Sequence, residues 1–252
     1  MKIAIDAGHG PETAGKRTPD GSLREFQFNR AVAAYVRSGL ENYEAVEILF
    51  VHAEDGSRDV PLKERTDRAN AWGASAYISI HANANGSDWN QAEGIETFVH
   101  TRPSPEALKL AEAVQRQLIR QTARRDRGVK TADFHVLRET KMPSILVECG
   151  FMTNREEAEL LKSDGYRRQC ASAIIAGTVG VYGLKPKPGG GTGVSGFKDV
   201  PQDHWAAGAI KKAADTGIIK GISNEEFGLG QPVAREQLAV ILDRLGLLEE
   251  KK

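Results

Sequence analysis

From Lys2 to Tyr182 short apolar runs alternate with longer segments in which apolar positions recur every three or four residues. The runs Lys2 to Ile5, Ala45 to Val51, Ala76 to Ile80, Gly94 to His100 and Ser144 to Val147 predict strands. A brief continuous apolar stretch suits a strand covered on both faces. Helices are predicted over Phe26 to Leu40, Leu62 to Trp72 and Ser104 to Thr122, where Leu108, Ala111, Val114 and Leu118 fall on one face. Asn154 followed by Glu157 reads as an N-cap with its reciprocal glutamate, opening a helix through Leu161. A last, buried helix is expected from about Tyr166 to Tyr182. Strands alternating with helices predict an α/β fold, a mostly parallel twisted sheet flanked by helices.

The pattern breaks at Lys185-Pro186-Lys187-Pro188 and the glycines that follow, a tract with nothing to bury that reads as a linker. The expected organisation is a catalytic-sized domain over 1–184, a linker over 185–195 and a small helical module over 196–252. In that module helices are predicted at about His204 to Thr216 and Arg235 to Leu245, with Phe197, Trp205, Ile210, Phe227 and Leu238 as its core.

Composition narrows the class. A formal charge of +0 and a pI near 7.0 lack the basic stripe that nucleic acid or an anionic membrane requires. No apolar run is long enough to span a membrane. The N-terminus shows no basic segment followed by an apolar one, so the expectation is a chain that stays cytoplasmic until release. Cys149 and Cys170 lack metal-ligand spacing and are expected as buried free thiols.

The candidate chemistry sits where parallel strands end, the usual place for ligands in an open α/β sheet. One strand runs into Asp6-Ala7-Gly8-His9-Gly10, a second into His81-Ala82-Asn83, a third into Glu148-Cys149-Gly150. Glu25 opens the helix after the first loop and is able to turn back to the same rim. Two imidazoles and a carboxylate suit zinc, and three protein ligands leave a position open for a hydrolytic water. Glu148 is then the expected general base. Glu25 keeps a second reading, since a glutamate in a first helical turn also favours the helix dipole.

These segments resemble the type 3 zinc-dependent N-acetylmuramoyl-L-alanine amidases. The resemblance is carried by Ile5 to Gly10, Glu25, Leu62 through Arg65 to Ala69-Asn70, Ile78 to Asn83 and Pro143 to Asn154. It implies that His9, Glu25 and His81 hold one zinc ion, that Glu148 moves protons, and that the cut falls between the lactyl group of N-acetylmuramic acid and L-alanine. Other candidates carry plainer readings. Asn83 either orients substrate or shapes its loop; Arg65 and Asn70 brace a helix against the sheet. His135 either points into the cleft to stabilise an oxyanion or, the favoured reading, lies at a strand edge; His52 and His100 are expected on the surface. Arg124-Arg125-Asp126-Arg127 either grips acidic groups of a peptide stem or, the favoured reading, is solvated charge.

The tail, from Phe197-Lys198-Asp199-Val200-Pro201 through His204-Trp205-Ala206 to Arg235-Glu236-Gln237-Leu238, resembles one S-layer homology module. That resemblance implies binding to a secondary polymer of Gram-positive walls. Arg235, unfavourable for the dipole in a first helical turn, is the candidate contact to an anionic polymer. Such modules usually come in threes, so one alone lacks avidity. The expected function is a peptidoglycan hydrolase, leading as a phage endolysin. The alternatives are a bacterial autolysin or spore-related amidase, and a wall-binding protein with a dead catalytic domain.

Overall fold

The computed structural model describes residues 1–187, 197–201, 204–223 and 225–248. The chain divides into two compact units, Met1–Lys185 and Pro186–Lys252. Most of the predicted linker, from Pro188 onward, lies outside the described residues.

The first unit is built on a sheet of six strands, β1 (Lys2–Ala7), β2 (Glu47–Phe50), β3 (Ala76–Asn83), β4 (Ile95–Val99), β5 (Asp126–Thr131) and β6 (Ser144–Phe151). Their order is β2-β1-β3-β6-β4-β5. Every pairing is parallel except β4 with β6. Six helices accompany it: α1 (Glu25–Leu40), α2 (Leu62–Trp72), α3 (Pro105–Thr122), α4 (His135–Arg138), α5 (Arg155–Lys162) and α6 (Asp164–Tyr182). The α/β class is as predicted. No helix among the described residues is long and apolar enough to cross a membrane.

Strand alternation sends successive side chains to opposite faces, and the two faces are covered unequally. On one, Ile3, Ile5, Ile78, Ile80, Ile145 and Val147 pack in the same core as Val32 and Val36 of α1, Leu110 and Val114 of α3 and Ile174 of α6. On the other, Ala4, Tyr77 and Leu146 meet Ala69 of α2 and Val136 and Leu137 of α4. By the same alternation Asp6, His81, Glu148 and Glu96 belong to this second face, toward the carboxyl ends of β1, β3 and β6.

Several local expectations need correction. Asn154 does cap α5, accepting from the backbone N–H groups of Glu156 and Glu157 at 3.0 and 3.2 Å. Glu157 does not return the bond; its carboxylate accepts from Phe151 N at 2.7 Å and Gly94 N at 2.9 Å, tying α5 to the sheet. His52 is buried rather than superficial, because its Nδ1 accepts the N–H of Ala7 at 3.0 Å. His135 starts the short helix α4 instead of lying on a strand edge. His100 has a partner, Asp133, at 3.3 Å. Asn70 braces the loop beyond α4, not the sheet, through Glu139 O at 2.8 Å and Lys141 N at 2.9 Å. Cys149 and Cys170 are buried and free, as predicted.

The second unit contains α7 (Ala207–Asp215) and α8 (Arg235–Arg244). Its buried core is Phe197, Val200, Ala207 and Ile210, with Phe227 packed against it. Trp205 and Leu238, predicted as core, are exposed; for Leu238 this follows from α8, which buries none of its residues among those described. The loop that closes this core is organised by Asp199, whose carboxylate accepts from the N–H groups of Phe227, Gly228 and Leu229 at 2.7, 2.8 and 2.9 Å. Burial pushes the Asp199 pKa up, but the three backbone donors outweigh it and hold the group below the usual carboxylate range. Asp199→Ala is expected to destabilise this unit by about 2 kcal/mol. A depressed native pKa gives stability that is present above pH about 4 and lost as pH falls through the native value. Urea unfolding of the full chain, followed through NMR signals of Val200 and Ile210, checks both points. The acid sensitivity of the wild type should be weaker in the variant.

Candidate active site

Four predicted residues converge at the carboxyl ends of β1, β3 and β6. The β1 strand passes into Gly8-His9-Gly10, where Gly8 N–H continues the pairing by donating to Ile80 O at 3.0 Å. His9 then takes a left-handed conformation, φ 64°, a strained choice for a residue with a side chain. Its imidazole thereby turns toward the neighbouring strand, and the His9 and His81 rings meet edge to face with centroids 5.0 Å apart.

Glu25 is delivered by the loop between β1 and α1. Arg17 and Arg24 form an antiparallel bridge, Thr18 N–H donates to Leu23 O at 2.9 Å, and Glu25 N–H donates to Lys16 O at 2.9 Å. Glu25 is the first residue of α1 and is only 2% exposed. Its two carboxylate oxygens divide between the histidines: Oε2 lies 3.2 Å from His9 Nε2 and Oε1 lies 2.9 Å from His81 Nδ1. Ala82 N–H donates to Oε1 at 3.2 Å, as does Asn29 Nδ2 at 3.3 Å. One ligand atom from each of His9, Glu25 and His81 lies within 4.8 Å of the others. Two imidazoles and a buried carboxylate at that spacing fit a divalent metal with nitrogen and oxygen preference, zinc above all.

Glu148 stands beside this trio, directly across from His81 in the β3–β6 register. Its Oε2 is buried and has no hydrogen-bond partner among the described residues. A lone buried carboxylate oxygen is costly unless its proton or its substrate satisfies it. Burial is the main reason its pKa rises to about 8, with the Glu25 charge adding and His81 opposing. Burial pushes His9 down to about 4 against the pull of Glu25. Burial also draws His81 down, yet the hydrogen bond and charge of Glu25 prevail and its pKa rises. Glu25 in turn is raised by burial but lowered overall by His81 and His9.

Three supporting residues, Asn29, Ser79 and Gly8, were not identified as such from sequence. Asn29, one helical turn after Glu25, donates to Gly8 O at 3.0 Å as well as to the carboxylate; its i, i+4 spacing on α1 was the available signal. Ser79 Oγ lies 3.1 Å from His81 Nε2 and donates to Asp6 Oδ2 at 2.8 Å; Ser79 and Asp6 share a face by strand alternation. Gly8 is required by close approach, since a Cβ there would sit 2.1 Å from His81 Cε1. Arg65 goes beyond the bracing expected of it: its guanidinium bonds Asp6, the carbonyls of Ala7 and His9, and Asp59. Asn83 Nδ2 donates to Glu96 at 2.8 Å. In the other unit Arg235 is exposed at the first residue of α8.

Known proteins resemble this chain in sequence and fold. The N-acetylmuramoyl-L-alanine amidase family matches residues 3–179, and the S-layer homology domain matches residues 196–239. CwlM, an N-acetylmuramoyl-L-alanine amidase of Bacillus licheniformis, is 35% identical over 73% of this chain and 70% of its own length. The sporulation-specific N-acetylmuramoyl-L-alanine amidase of Bacillus subtilis is 32% identical over 87% of this chain and 84% of that protein. The endolysin of Bacillus phage SPP1 is 30% identical over 75% and 68% respectively. The crystal structure of an N-acetylmuramoyl-L-alanine amidase from Clostridium difficile 630 superposes with TM-score 0.68 at 31% identity, covering 72% of this chain and 96% of that one. This chain belongs to the N-acetylmuramoyl-L-alanine amidase family, and its activity is that of a peptidoglycan amidase.

Proposed function

We propose that the enzyme is zinc-dependent and cuts the amide between the lactyl group of N-acetylmuramic acid and L-alanine, with His9, Glu25 and His81 as metal ligands and Glu148 as the proton carrier. The observation that carries this reading is the trio of donor atoms within 4.8 Å of one another beside a carboxylate oxygen that lacks a partner. Zinc in that trio would supply Lewis acidity, polarising the scissile carbonyl and acidifying the attacking water.

The chain's own groups do the rest. Glu148 takes a proton from the water and returns it to the leaving amine of L-alanine, a role suited to a carboxylate oxygen that stands beside the trio without a partner. Asn29 and the Ala82 N–H hold the Glu25 carboxylate between the two imidazoles. Ser79, anchored on Asp6, fixes the orientation of the His81 ring. The second unit would hold the enzyme on walls that carry an anionic secondary polymer, with Arg235 as the contact.

The setting we propose is lysis of a Gram-positive wall by an endolysin released from the cytoplasm, supported by the likeness to the SPP1 endolysin. A spore-related amidase is the second reading, favoured by the sporulation-specific relative whose similarity extends over 224 residues. A holin gene beside this one would favour the first.

Zinc content tests the ligand assignment. Purified wild-type chain is expected to hold one zinc, and His81→Ala to lose it while keeping the circular dichroism of the folded protein. Gly8→Ala should also lose zinc, because the added Cβ displaces the His81 ring. Undiminished zinc in His81→Ala would mean that the metal sits elsewhere.

A further inference from the structure

The sheet carries a polar row beyond the catalytic pair. His81 on β3, Glu148 on β6 and Glu96 on β4 are successive cross-strand partners, and directly paired residues share a face. Arg127 of β5 stands next in line, at the irregularity where β4 and β5 shift register between Ile95 and Thr97. Glu96 is 4% exposed. Its Oε2 accepts from Arg127 Nε at 2.6 Å and Lys130 Nζ at 2.5 Å, and its Oε1 accepts from Asn83 Nδ2 at 2.8 Å.

Both cations meet one oxygen of Glu96, so each keeps N–H groups that this carboxylate does not take. Neither Glu93 nor Asp126 is ion-paired with Arg127 or Lys130. Glu93 faces Arg125 at 3.8 Å, and Asp126 Oδ1 is occupied by Gln115 Nε2 at 2.6 Å and Gly128 N at 2.8 Å. The two cations are held in place but not sealed off. Arg127 also donates to Glu93 O at 3.3 Å and lies over the Phe151 ring at 4.9 Å, while the side chains of Arg127 and Lys130 remain 29% and 39% exposed. Lys130 has three N–H donors and spends one on Glu96.

Distance decides what these cations would meet. Neighbouring strands lie about 4.8 Å apart, so β5 is roughly 10 Å from β6 and the scissile bond beside Glu148. An extended peptide advances about 3.3–3.6 Å per residue, so a group carried one or two residues beyond L-alanine arrives there.

We infer that Arg127 and Lys130, clamped on Glu96, form a subsite for a carboxylate of the peptide stem one or two residues beyond the L-alanine whose amide is cut. This rests on the amidase reading for the direction of the substrate. It makes the cluster a determinant of specificity: stems with free carboxylates are preferred over amidated ones, through binding and not through the chemical step. Asn83 joins the cluster by holding the other Glu96 oxygen, and acts as a positioning residue.

The test uses the full, zinc-loaded chain and two soluble muramoyl peptides. They differ only in that every carboxylate beyond L-alanine is free in one and a carboxamide in the other. Calorimetry on the Glu148→Gln variant should show the free acid binding about ten-fold more tightly, the range of a charge-assisted contact. Lys130→Met should remove that preference and leave the affinity for the amidated peptide unchanged; Lys130→Arg should restore it. In turnover by the wild type the preference should appear in KM with kcat equal. Equal binding of the two peptides, or a Lys130→Met loss that falls equally on both, would overturn the subsite. If the wild type cuts neither peptide, the amidase reading fails, while the binding comparison still decides the inference.

Discussion

Glu148→Gln is expected to lower amide hydrolysis about a thousand-fold while leaving the fold and the zinc content intact. The carboxamide keeps the shape of the side chain but neither accepts a proton from water nor delivers one to an amine. General acid–base groups contribute roughly 10² to 10⁴ in rate, and nothing nearby substitutes. Glu96 is tied to Arg127 and Lys130, and Glu25 is divided between two histidines. Initial rates of amino-group release from purified wall, measured at equal zinc occupancy, make the comparison. A loss smaller than ten-fold would show that Glu148 is not the proton carrier.

Arg65→Met is expected to cost stability rather than chemistry alone, by about 3–5 kcal/mol. The guanidinium is buried and its bonds are all short: Val60 O at 2.8 Å, Asp6 Oδ1 at 2.5 Å, Ala7 O and His9 O at 2.7 Å and Asp59 Oδ1 at 3.0 Å. Removing it strands the buried Asp6 carboxylate and two carbonyls of the turn that holds His9 in its left-handed conformation. At about 2–4 °C per kcal/mol for a chain of this size, Tm should fall by about 10 °C. The Asp6→Asn, Arg65→Met double variant should lose less than the sum of the two single changes, because the uncompensated charge is gone. Arg65→Lys should behave nearly as badly as Arg65→Met, since an ammonium cannot span this set of acceptors. A drop of under 1 kcal/mol for Arg65→Met would refute the assigned role.

The sequence revealed the strands that carry His9, His81 and Glu148 because each is an apolar run that ends abruptly in an ionisable residue. It was less informative about Glu25, where a helix-opening glutamate satisfies the dipole as readily as a metal. The decisive feature, a hairpin-like loop that returns Glu25 to the rim, depends on backbone bonds between Lys16, Thr18, Leu23 and Glu25 that no side-chain pattern announces.

The missed strand β5 shows the opposite difficulty. Asp126-Arg127-Gly128-Val129-Lys130-Thr131 has one large apolar residue, and at the edge of a sheet charge is protective rather than disqualifying. Reading its head as solvated charge therefore hid both a strand and the cations that neutralise Glu96. The short run Phe134-His135-Val136-Leu137 likewise fits a strand or a helical turn equally well; only packing of Val136 and Leu137 against Tyr77 and Leu146 decides it. In the second unit Leu238 has helical spacing, but an apolar residue becomes core only where another surface meets it, and α8 presents Leu238 and Val240 to solvent.

The proposed cut, at the amide that starts the peptide stem, has a direct readout. The direct measurement is product analysis after digesting purified Gram-positive wall with the zinc-loaded wild type. New free amino groups on L-alanine, without new sugar reducing ends, are the predicted result. Reducing ends in their place, or no new amino groups at all, would contradict it.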